Sequence, residues 1–586
     1  MAATLSRSIA VLACVAILLL HSSQAKPHGF KGSQKCRRGS QKLPNSPAYD
    51  ELCTATVRTY FTTTTIRPEP YATATVSSST GGQCKSTKVA VLGAGVAGIT
   101  AAQVLSNHSV TDFLILEYNT AIGGRCRADK FGKDRDGDPY TVELGANWIQ
   151  GTVTEGGPEN PIWTLVKKYG VKNEFTNLSS LLTYDKTGQV DYTDKFDAFD
   201  AAYSFAEEDA GTGILMNFQD RDLRSAFNLG GWTPKGDPHA MAIEWYEMDY
   251  EYAQIPDVSS QRFTTANFNS TFYGFSELNQ FSTDQRGYNT FLHGQASEFL
   301  EDNDPRLLLN TIVTNISYSD SGVTIYNSDG SCVEADYAIT TFSVGVLQSN
   351  AVTFEPPLPD WKNIAINTMQ IGVYTKIFLQ FPPDQAFWPK DTENFIYASK
   401  KRGYYTAWQN LDHPKYIPGS GIIFCTVTTE QSYAVDNQDD EITKAEVLAV
   451  LREMFPNSTI PEPIAFMYPR WSTTPWAYGS YSNWPPGLSL EGHQNLRANI
   501  QRLFFAGEAT SAEFYGYMQG AYFEGKNIGE LVAACTGGIG LPACMDMARY
   551  ESLGGDTPVA AYVPSNGWMQ TSFQTIGDVD VVGGGG

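Results

Sequence analysis

Apolar and polar residues follow one another along this chain in patterns that predict both buried strands and helices. Lys88–Leu92 and Phe113–Leu116 are short apolar runs typical of strands covered on both faces, and the residues between them follow a helical pattern. Residues 322–340 predict a β-hairpin, and residues 440–455 have the periodicity of an amphipathic helix. Strands and helices that alternate in this way are typical of α/β proteins, so we expect that fold class.

The turn between the first strand and its helix contains glycines at informative positions. Gly93, Gly95 and Gly98 have the spacing of a dinucleotide-binding turn. The first glycine permits a tight turn, the second lets a pyrophosphate approach the backbone, and the third lets helix and strand pack closely. Glu117 ends the next strand, where its carboxylate can accept hydrogen bonds from ribose hydroxyls and disfavours the 2′-phosphate of NADP. The turn therefore predicts NAD or FAD as the ligand.

Three further motifs resemble those of one known family. They are Gly123-Gly124-Arg125, the run Glu143–Trp148, and Leu503–Glu508 followed by Tyr515–Ala521. Together with the glycine turn, these motifs resemble the FAD-dependent amine oxidase family over about residues 88–535. The resemblance implies a flavin amine oxidase fold, in which a Rossmann-like FAD-binding domain is joined to an α+β substrate-binding domain.

The same resemblance implies roles in binding FAD, which we expect to be held without a covalent bond. Gly124 and Arg125 would lie at the diphosphate or the flavin, and Glu508 at the ribityl or phosphate region. Val313 would contact the adenine through its backbone. No cysteines have C-x-x-C spacing and the seven His residues are scattered, so we expect no metal site.

The resemblance also implies that both domains are assembled from separated segments. The FAD-binding domain would take residues 88–168, 285–361 and 483–535. The substrate-binding domain would take residues 169–284 and 362–482. The active site is then expected in the cleft between the two domains, where such sites commonly form.

Within this family the chain most resembles the secreted plant-type polyamine oxidases. The similarity is carried by four runs: Tyr250–Ala253, Tyr374–Leu379, Arg402–Thr406 and Gly479–Pro485. A polyamine is an extended polycation, which carboxylates and aromatic faces can bind. By the resemblance, one acidic and three aromatic residues line the substrate tunnel: Glu251, Tyr252, Tyr481 and Tyr517. Tyr374 lies two residues before Lys376 on the same strand face, so we expect it to line the same cavity as that lysine and to contact the substrate. Tyr481 and Tyr517 would hold the scissile C–N bond between them.

Taken without the resemblance, two of these runs have a plainer interpretation. Lys376 lies in the apolar run 374–381, where a lysine without a partner is unfavourable unless that strand face is solvated. Residues 245–254 fit a helix whose exposed face carries several acidic residues, Glu251 among them. The resemblance instead implies that Lys376 is catalytic and holds a water near flavin N5, and that Glu251 faces the tunnel.

One position departs from the pattern of the plant enzymes. There the residue after Asn-Trp-aliphatic is typically acidic, and vertebrate relatives carry His, whereas this chain has Gln150. Gln150 can orient an amine but supplies no charge. We expect hydride transfer from a carbon next to a secondary amine of spermine or spermidine to flavin N5. An aldehyde, a smaller amine and, after reoxidation by O₂, hydrogen peroxide would follow.

The N-terminal residues have the pattern of an export signal. A basic residue, a twelve-residue apolar run and small residues before a cleavage point predict a signal peptide over residues 1–25, and hence secretion. That run is too short to span a bilayer, so we expect no stable membrane insertion. A Thr/Ser-rich extension at 26–87 and a tail at 536–586 flank the family region.

Secretion permits disulfides and glycans. We expect a bond between Cys535 and Cys544, which are close in sequence, and a buried thiol at Cys425. Five Asn-x-Ser/Thr sequences are possible glycan acceptors: Asn107, Asn177, Asn269, Asn315 and Asn457.

The net charge of the chain limits the classes of partner that it can bind. There are 63 Asp and Glu residues against 41 Lys and Arg, a formal net charge of −22, which disfavours nucleic acid as a partner. Only 18% of residues are charged and 42% are hydrophobic, which excludes a disordered chain. Removal of residues 1–25, with their single Arg7, leaves a more acidic chain that can attract a polycation. The expected partners are therefore a polyamine and O₂.

Two other functions stay open at this level. An L-amino-acid oxidase shares the fold and the FAD motifs, but it needs a cation for the substrate carboxylate, whereas the matched residues are acidic and aromatic. A catalytically silent secreted flavoprotein with a wall or adhesive role is favoured only by Gln150. The nuclear histone demethylases of the family are disfavoured by the signal peptide.

Overall fold

The computed structural model describes residues 84–153 and 156–555. The predicted signal peptide, nearly all of the predicted extension and the end of the tail lie outside these residues. The strands are β1 Lys85–Leu92, β2 Phe113–Leu116, β3 Ala128–Phe131, β4 Tyr140–Glu143, β5 Trp148–Gln150, β6 Asn173–Phe175, β7 Leu181–Asp185, β8 Gly188–Gln189, β9 Asn279–Ser282, β10 Leu307–Leu308, β11 Val313–Tyr318, β12 Val323–Asn327, β13 Cys332–Thr340, β14 Thr353–Glu355, β15 Gln370–Gly372, β16 Tyr374–Gln380, β17 Asn394–Ala398, β18 Ala407–Asn410, β19 Ile422–Thr428, β20 Ala465–Met467, β21 Tyr481–Asn483 and β22 Leu503–Phe505.

The helices alternate with these strands. They are α1 Val96–Asn107, α2 Pro161–Lys168, α3 Asp194–Leu215, α4 Leu223–Leu229, α5 Pro238–Glu244, α6 Tyr250–Tyr252, α7 Gln261–Phe272, α8 Thr290–Ala296, α9 Val344–Gln348, α10 Asp360–Thr368, α11 Thr429–Asp436, α12 Asp440–Met454, α13 Leu490–Arg497 and α14 Met518–Cys535. A π-helical turn, Trp245–Asp249, joins α5 to α6. The predicted hairpin is β12–β13, and the predicted amphipathic helix is α12.

The first sheet has eight strands and a parallel centre. Its order is β10-β2-β1-β13-β12-β11-β14, and β22 pairs with the end of β13. Strands β10, β2, β1, β13 and β22 run parallel. The last four residues of β1, 89–92, are buried on both faces of the sheet. Helix α1 returns the chain from β1 to β2, which is the Rossmann-like arrangement that was predicted. The α/β fold class is confirmed.

Helix α1 packs against α14 through small residues. Added Cβ atoms at Gly525 and Gly529 would lie 2.3 Å and 3.0 Å from backbone atoms of Ala97 and Ala101. The two helix backbones therefore touch, and α1 is held against the sheet at the height of the glycine turn. Strand β1 begins at Lys85, three residues before the predicted start and inside the segment predicted as extension.

The second sheet has seven strands in the order β20-β16-β19-β18-β17-β7-β8. Every residue of β16 and β19 is buried, because α12 and neighbouring segments cover one face and β3–β4 residues pack near the other. All strands of this sheet fall in residues 169–284 and 362–482, and those of the first sheet lie in the other segments apart from the early start of β1. The domain boundaries themselves stay a prediction.

A three-stranded sheet and a helical group stand beside these two sheets. Strand β9 pairs with both β5 and β6. Helices α3, α4, α5 and α7 enclose an aromatic cluster that includes Phe199, Phe227 and Trp232. Asn269, one of the predicted glycan acceptors, is buried within α7 and cannot be reached in the folded chain, so that prediction is wrong. Asn107 and Asn457 are exposed.

Two disulfides close the described part of the chain. Cys535–Cys544 confirms the predicted pair, and Cys84–Cys332 joins the start of β1 to the start of β13. Cys425 is a buried free thiol, as predicted. After Cys544 the chain runs along α13, where Asn495 exchanges two hydrogen bonds of 2.7 Å with the backbone of Tyr550. No helix in the described ranges is long and apolar enough to cross a membrane.

Candidate active site

The glycine turn has the geometry that the sequence predicts. Gly93 has φ +110°, a conformation that favours glycine, and a Cβ on Gly98 would lie 1.9 Å from the carbonyl oxygen of Gly93. Helix α1 therefore begins directly against the end of β1. Gly95 is its N-cap and offers no side chain to the first helical N–H groups, so these donors are available to an anion.

A second glycine turn lies against the first. The N–H of Gly123 donates to the carbonyl of Ala94 at 3.0 Å, and a Cβ on Gly124 would lie 3.3 Å from the Cα of Gly95. Two backbones without side chains thus face each other at the N-terminus of α1. The two turns are in contact, and the absence of side chains on them suits a pyrophosphate, which needs close approach to backbone N–H groups.

Glu117 lies at the end of β2, beside the two glycine turns. Its Oε2 accepts the N–H of Ala94 at 2.7 Å, and its Oε1 accepts two donors of Asn119. The N–H of Thr311 donates to the carbonyl of Glu117 at 2.8 Å, which brings the segment before Val313 past the same strand end. The positions predicted for ribose and adenine are therefore adjacent.

Arg125 and Glu508 meet across the sheet end from positions far apart in sequence. The Nη1 of Arg125 lies 2.8 Å from Oε1 of Glu508 and 2.9 Å from the carbonyl of Ser480. The other oxygen of Glu508 accepts the Ser482 hydroxyl and the N–H of Gly516, at 2.5 Å and 2.8 Å. The buried Glu508 thus connects Arg125 to the turn that leads into Tyr517.

These observations fit FAD. The two glycine turns in contact, the uncapped start of α1 and the carboxylate at the end of β2 match the diphosphate and ribose of a dinucleotide. Arg125 is partly exposed and keeps donors beyond those that it uses within the protein. The residues present therefore suit the cofactor that the motifs imply.

Glu251 is the centre of a second group of side chains. Its Oε1 accepts the Tyr517 hydroxyl at 2.6 Å and the amide of Gln150 at 3.0 Å. Its backbone carbonyl accepts the Tyr481 hydroxyl at 2.9 Å. Among the residues described, Oε2 has no hydrogen-bond partner, so it can accept a donor from a ligand. Burial raises the pKa of Glu251 to about 7.

An aromatic wall extends from this carboxylate. The ring of Tyr374 lies 6.0 Å from that of Tyr481 and 5.7 Å from that of Tyr250. Tyr250 in turn lies 5.9 Å from Trp148. The structure thus brings together two of the four predicted tyrosines, Tyr374 and Tyr481. It adds Trp148 and Tyr250 to them, to which the motif comparison assigned no role. Tyr250 lies in residues 245–254, a run of unusual aromatic density, which was the available signal, whereas Trp148 is the one aromatic residue of the run Glu143–Trp148.

Tyr252 lies apart from this wall. It is buried in the aromatic cluster of the helical group, and its hydroxyl approaches the carbonyl of Thr264 at 3.4 Å. Tyr252 directly follows Glu251 in the three-residue helix α6. Successive side chains of a helix are about 100° apart around its axis, so these two point in different directions. The predicted tunnel position of Tyr252 stays a prediction.

Lys376 is buried rather than solvated. Its side chain is 2% exposed, and Nζ donates to the carbonyls of Gly145 at 2.5 Å and Glu143 at 3.1 Å. The solvated-strand interpretation is therefore wrong. Burial lowers the pKa of Lys376, and Nζ lies 5.9 Å from the centre of the Trp148 ring. Lys376 and the aromatic wall thus share Trp148 as a neighbour.

Buried charges hold the segment that carries Glu251. Arg402 binds both oxygens of Asp249 at 2.5 Å and 2.7 Å, and it also contacts Glu244, which Arg224 binds from the other side. Asp249 is fully buried, so the interpretation of this run as a helix with an exposed acidic face is wrong. The π-helical turn that ends at Asp249 is thereby fixed two residues before Glu251, and such turns are frequent at functional sites.

A model of the flavin containing amine oxidoreductase family matches residues 96–532. The chain belongs to this family. Membership confirms the predicted flavin amine oxidase fold and the predicted cofactor, FAD. The match begins within the glycine turn, after Gly95, and includes the group around Glu251.

Among curated proteins, this flavin amine oxidase is similar to polyamine oxidase 1 of Zea mays, with 38% identity over 468 residues. That alignment covers 77% of this chain and 91% of the maize protein. Polyamine oxidase 7 of Oryza sativa subsp. japonica is also 38% identical, over 75% of this chain and 93% of its own. Lysine-specific histone demethylase 2 of Homo sapiens is 27% identical and is covered over 53% of its length.

Solved structures of putrescine oxidase share the fold of this flavin amine oxidase. A cofactor-binding variant aligns with a TM-score of 0.61 at 16% identity and covers 77% of this chain and 99% of that one. The wild-type enzyme bound to putrescine aligns with a TM-score of 0.58 at 17% identity. At these identities the likeness concerns the fold alone.

Proposed function

We propose that this chain is a secreted polyamine oxidase that oxidises the carbon next to a secondary amine nitrogen of spermine or spermidine. The observation that carries the proposal is Glu251, a carboxylate with one unoccupied oxygen beside an aromatic wall. Trp148 of that wall lies 5.9 Å from Nζ of Lys376. Relatives named polyamine oxidases, at 37–38% identity over at least three quarters of the chain, support the same substrate class.

Glu251 suits an ammonium group of the substrate. Oε2 can accept its N–H donors, and the wall of tyrosine rings offers faces that attract a cation. Tyr517 and Gln150 hold the carboxylate in one orientation through Oε1. Since Gln150 is neutral, Glu251 is the one member of this hydrogen-bonded group that carries negative charge.

The remaining chemistry needs a neutral amine at the carbon that is oxidised. When bound, FAD supplies the hydride acceptor and passes the electrons to O₂. Lys376 supplies a base: burial lowers its pKa, so its neutral form can take a proton at Nζ near neutral pH. The oxidised substrate carries a C=N bond, which water hydrolyses to an aldehyde and a smaller amine.

Export is part of the proposal and rests on separate observations. Residues 1–25 have the pattern of a signal peptide, and two disulfides among the described residues suit an oxidising compartment. Expression of the full chain in a secretory host, followed by N-terminal sequencing of the medium fraction, tests this. The expected result is a chain that begins near Lys26. Retention of the intact N-terminus inside the cell contradicts it.

The substrate is tested by mixing the FAD-loaded protein anaerobically with spermine, spermidine or L-amino acids while flavin absorbance is followed. Bleaching with the polyamines, peroxide on aeration and an aldehyde in mass spectra are expected, and the product masses identify the bond that breaks. Bleaching with amino acids alone would show an L-amino-acid oxidase. A flavin that dithionite reduces but no amine bleaches would show a silent flavoprotein.

A further inference from the structure

A small cavity lies beside Lys376, on the side of β4 and β9. Glu143, Ser282 and Asn147 contribute polar groups to its wall, and Phe378 and Phe424 contribute apolar ones. Its volume is about 20 Å³, which is room for a single water. Lys376 does not itself line the cavity but lies near two residues that do: Nζ donates to the carbonyl of Glu143 at 3.1 Å and lies 5.9 Å from the centre of the Phe424 ring.

Two buried polar atoms of this wall have no hydrogen-bond partner. They are Oε2 of Glu143 and Oγ of Ser282, and each residue is less than 10% exposed. The other carboxylate oxygen of Glu143 accepts the N–H of Tyr288 at 2.6 Å. Buried polar atoms without partners are rare in proteins, and a water with two to four polar neighbours is the usual way to satisfy them. The cavity therefore suits a water bound to Glu143 and Ser282.

The charges around Glu143 and Lys376 are few. Burial raises the pKa of Glu143 and lowers that of Lys376, and each group favours the charged form of the other. Asp284 also acts on Glu143; burial opposes its ionisation, but Arg286 holds its pKa at about 2, so it is negative and disfavours a Glu143 carboxylate. Cys126 and Tyr288 are further titratable neighbours of Glu143, and burial raises the pKa of both the Cys126 thiol and the Tyr288 hydroxyl.

We propose that Glu143 is a positioning residue for Lys376, and that a water in this cavity lets the Glu143 carboxyl group and the Lys376 amine share one proton. The proton passes from Nζ to the water while the water gives a proton to Oε2. An ammonium and a carboxylate thereby become an amine and a carboxylic acid, and the reverse transfer restores them. The net charge of the buried site is the same in both forms.

This sharing deepens the proposed function and rests on it in one respect, the role of Lys376 in proton transfer near the flavin. An amine that can lose and regain a proton inside the protein does not need to exchange with solvent at each turnover. A change of net charge in a buried site is unfavourable, and the pair avoids it. Glu143 acts through Lys376 and not on the substrate.

Infrared difference spectra of the FAD-loaded protein test the shared proton directly. Glu143→Gln is expected to remove a carboxylic acid C=O band that wild type shows near neutral pH. In Lys376→Met the band should persist to higher pH, by about 1 unit, because the positive neighbour that favours the carboxylate is gone. A band with the same pH midpoint in wild type and Lys376→Met overturns the proposal, and this comparison does not require Glu143→Gln to fold.

Glu513→Gln is the matched control. Glu513 is also a buried carboxylic acid with an unpartnered oxygen and a pKa raised by burial to about 7, but its described interaction is with Ser270 rather than Lys376. It should lose its own infrared band, and that band should not respond to Lys376→Met. A response would show that the Lys376 effect is general, which overturns the specific pairing.

Reoxidation by O₂ is the second readout. The flavin is reduced photochemically without any amine, so the test stands even if polyamines fail to bleach it. Glu143→Gln should shift the pH midpoint of the reoxidation rate to lower pH by about 1 unit, because loss of the carboxylate lowers the pKa of Lys376. Glu513→Gln should leave the midpoint in place. An unchanged midpoint in Glu143→Gln with normal flavin content contradicts the proposal.

Discussion

The two glycine turns proposed to hold FAD (the cofactor cradle) and the side chains around Glu251 proposed to hold the substrate (the substrate wall) are built in different ways. The cradle consists mostly of backbone: two glycine turns face each other at the start of α1, and the turn residues are close in sequence. The substrate wall consists of side chains from β5, α6, β16, β21 and the loop before α14. The first depends on where side chains are absent. The second depends on how distant side chains meet and on the charge that burial leaves them.

This difference predicts different kinds of sensitivity. A small steric change in the cradle should abolish cofactor binding, because the backbone of the turn has no room to move. Changes in the wall should alter affinity and pH dependence in graded steps, because hydrogen bonds and charges there can be removed one at a time.

The largest effect is expected from Gly98→Ala. The new Cβ would meet the carbonyl oxygen of Gly93 at 1.9 Å, which forces α1 away from β1. Purified protein should contain no flavin absorbance or should not fold. Gly213→Ala is the control, since a Cβ there meets only the end of the Arg262 side chain at 3.9 Å. Full flavin content in Gly98→Ala would show that the described turn is wrong.

Arg402→Met should be the next most severe. It leaves Asp249 and Glu244 buried without their shared partner, and loss of one partner of a buried ion pair costs about 3–5 kcal/mol. Denaturant unfolding measures this. Arg452→Met, which breaks an exposed pair with Glu462, should cost about 0–1 kcal/mol. Equal losses in the two variants would contradict the role of Arg402 in fixing the turn before Glu251.

Glu251→Gln should lower kcat/KM for spermine by about 10-fold to 100-fold, which corresponds to one charge-assisted hydrogen bond. Glu247→Gln, four residues earlier, is the comparison, because the plain helical interpretation treats both residues alike. Steady-state kinetics with each variant decide the matter. A similar loss in both variants would favour a general electrostatic effect over a binding carboxylate.

The pH dependence of binding should report the same carboxylate. Since burial raises the pKa of Glu251 to about 7, it is protonated below that pH and cannot attract an ammonium group. The affinity for a diamine without a secondary nitrogen should therefore fall as the pH drops from 8 to 6, by about 10-fold. Calorimetry of the FAD-loaded protein measures it. The dependence should vanish in Glu251→Gln, and its persistence there would point to another group.

Gln150→Glu should have the smallest effect at neutral pH. In wild type the Gln150 amide lies 3.0 Å from Oε1 of Glu251, so a carboxylate at this position would share one proton with Glu251. The higher of the two apparent pKa values of this pair should lie about 1 unit above the pKa of Glu251 in wild type. Diamine affinity should be little changed at pH 7 and increase at pH 9. Gln150→Leu removes only the hydrogen bond. If both variants give the wild-type profile, the contact between Gln150 and Glu251 has no role in charge.

Local sequence patterns predicted the glycine turn and several other local elements well. The glycine spacing, the hairpin β12–β13 and helix α12 depend on neighbours in sequence, and the structure places each of them as expected. The Cys535–Cys544 bond is of the same kind, because it closes a separation of nine residues. The early start of β1 was not predictable, since residues 85–87 are polar and are placed by the Cys84–Cys332 bond and by pairing with β13.

The wall was predictable only in part. Motif resemblance named Glu251, Tyr481 and Tyr517, but no local pattern indicates that Gln150 donates to Glu251 across 101 positions. The burial of Asp249 depends on Arg402, 153 residues away, so a charged residue in a helical pattern looked exposed. No sequence pattern indicated the unpartnered oxygen of Glu143, because the run Glu143–Trp148 was interpreted only as a family motif.

The Cys84–Cys332 bond keeps the chain in one covalent piece when a peptide bond between the two cysteines is cut. It joins positions 248 residues apart, so the chain between them forms a covalent ring that contains the glycine turns and Glu251. Met216 and Phe218 are 61% and 51% exposed within this ring and offer an accessible site for a protease. A cut there opens the ring without releasing a fragment, because the disulfide still joins the two pieces. The nicked protein should separate into two bands only after reduction, and a broken peptide bond then leaves both halves of the active site attached to each other.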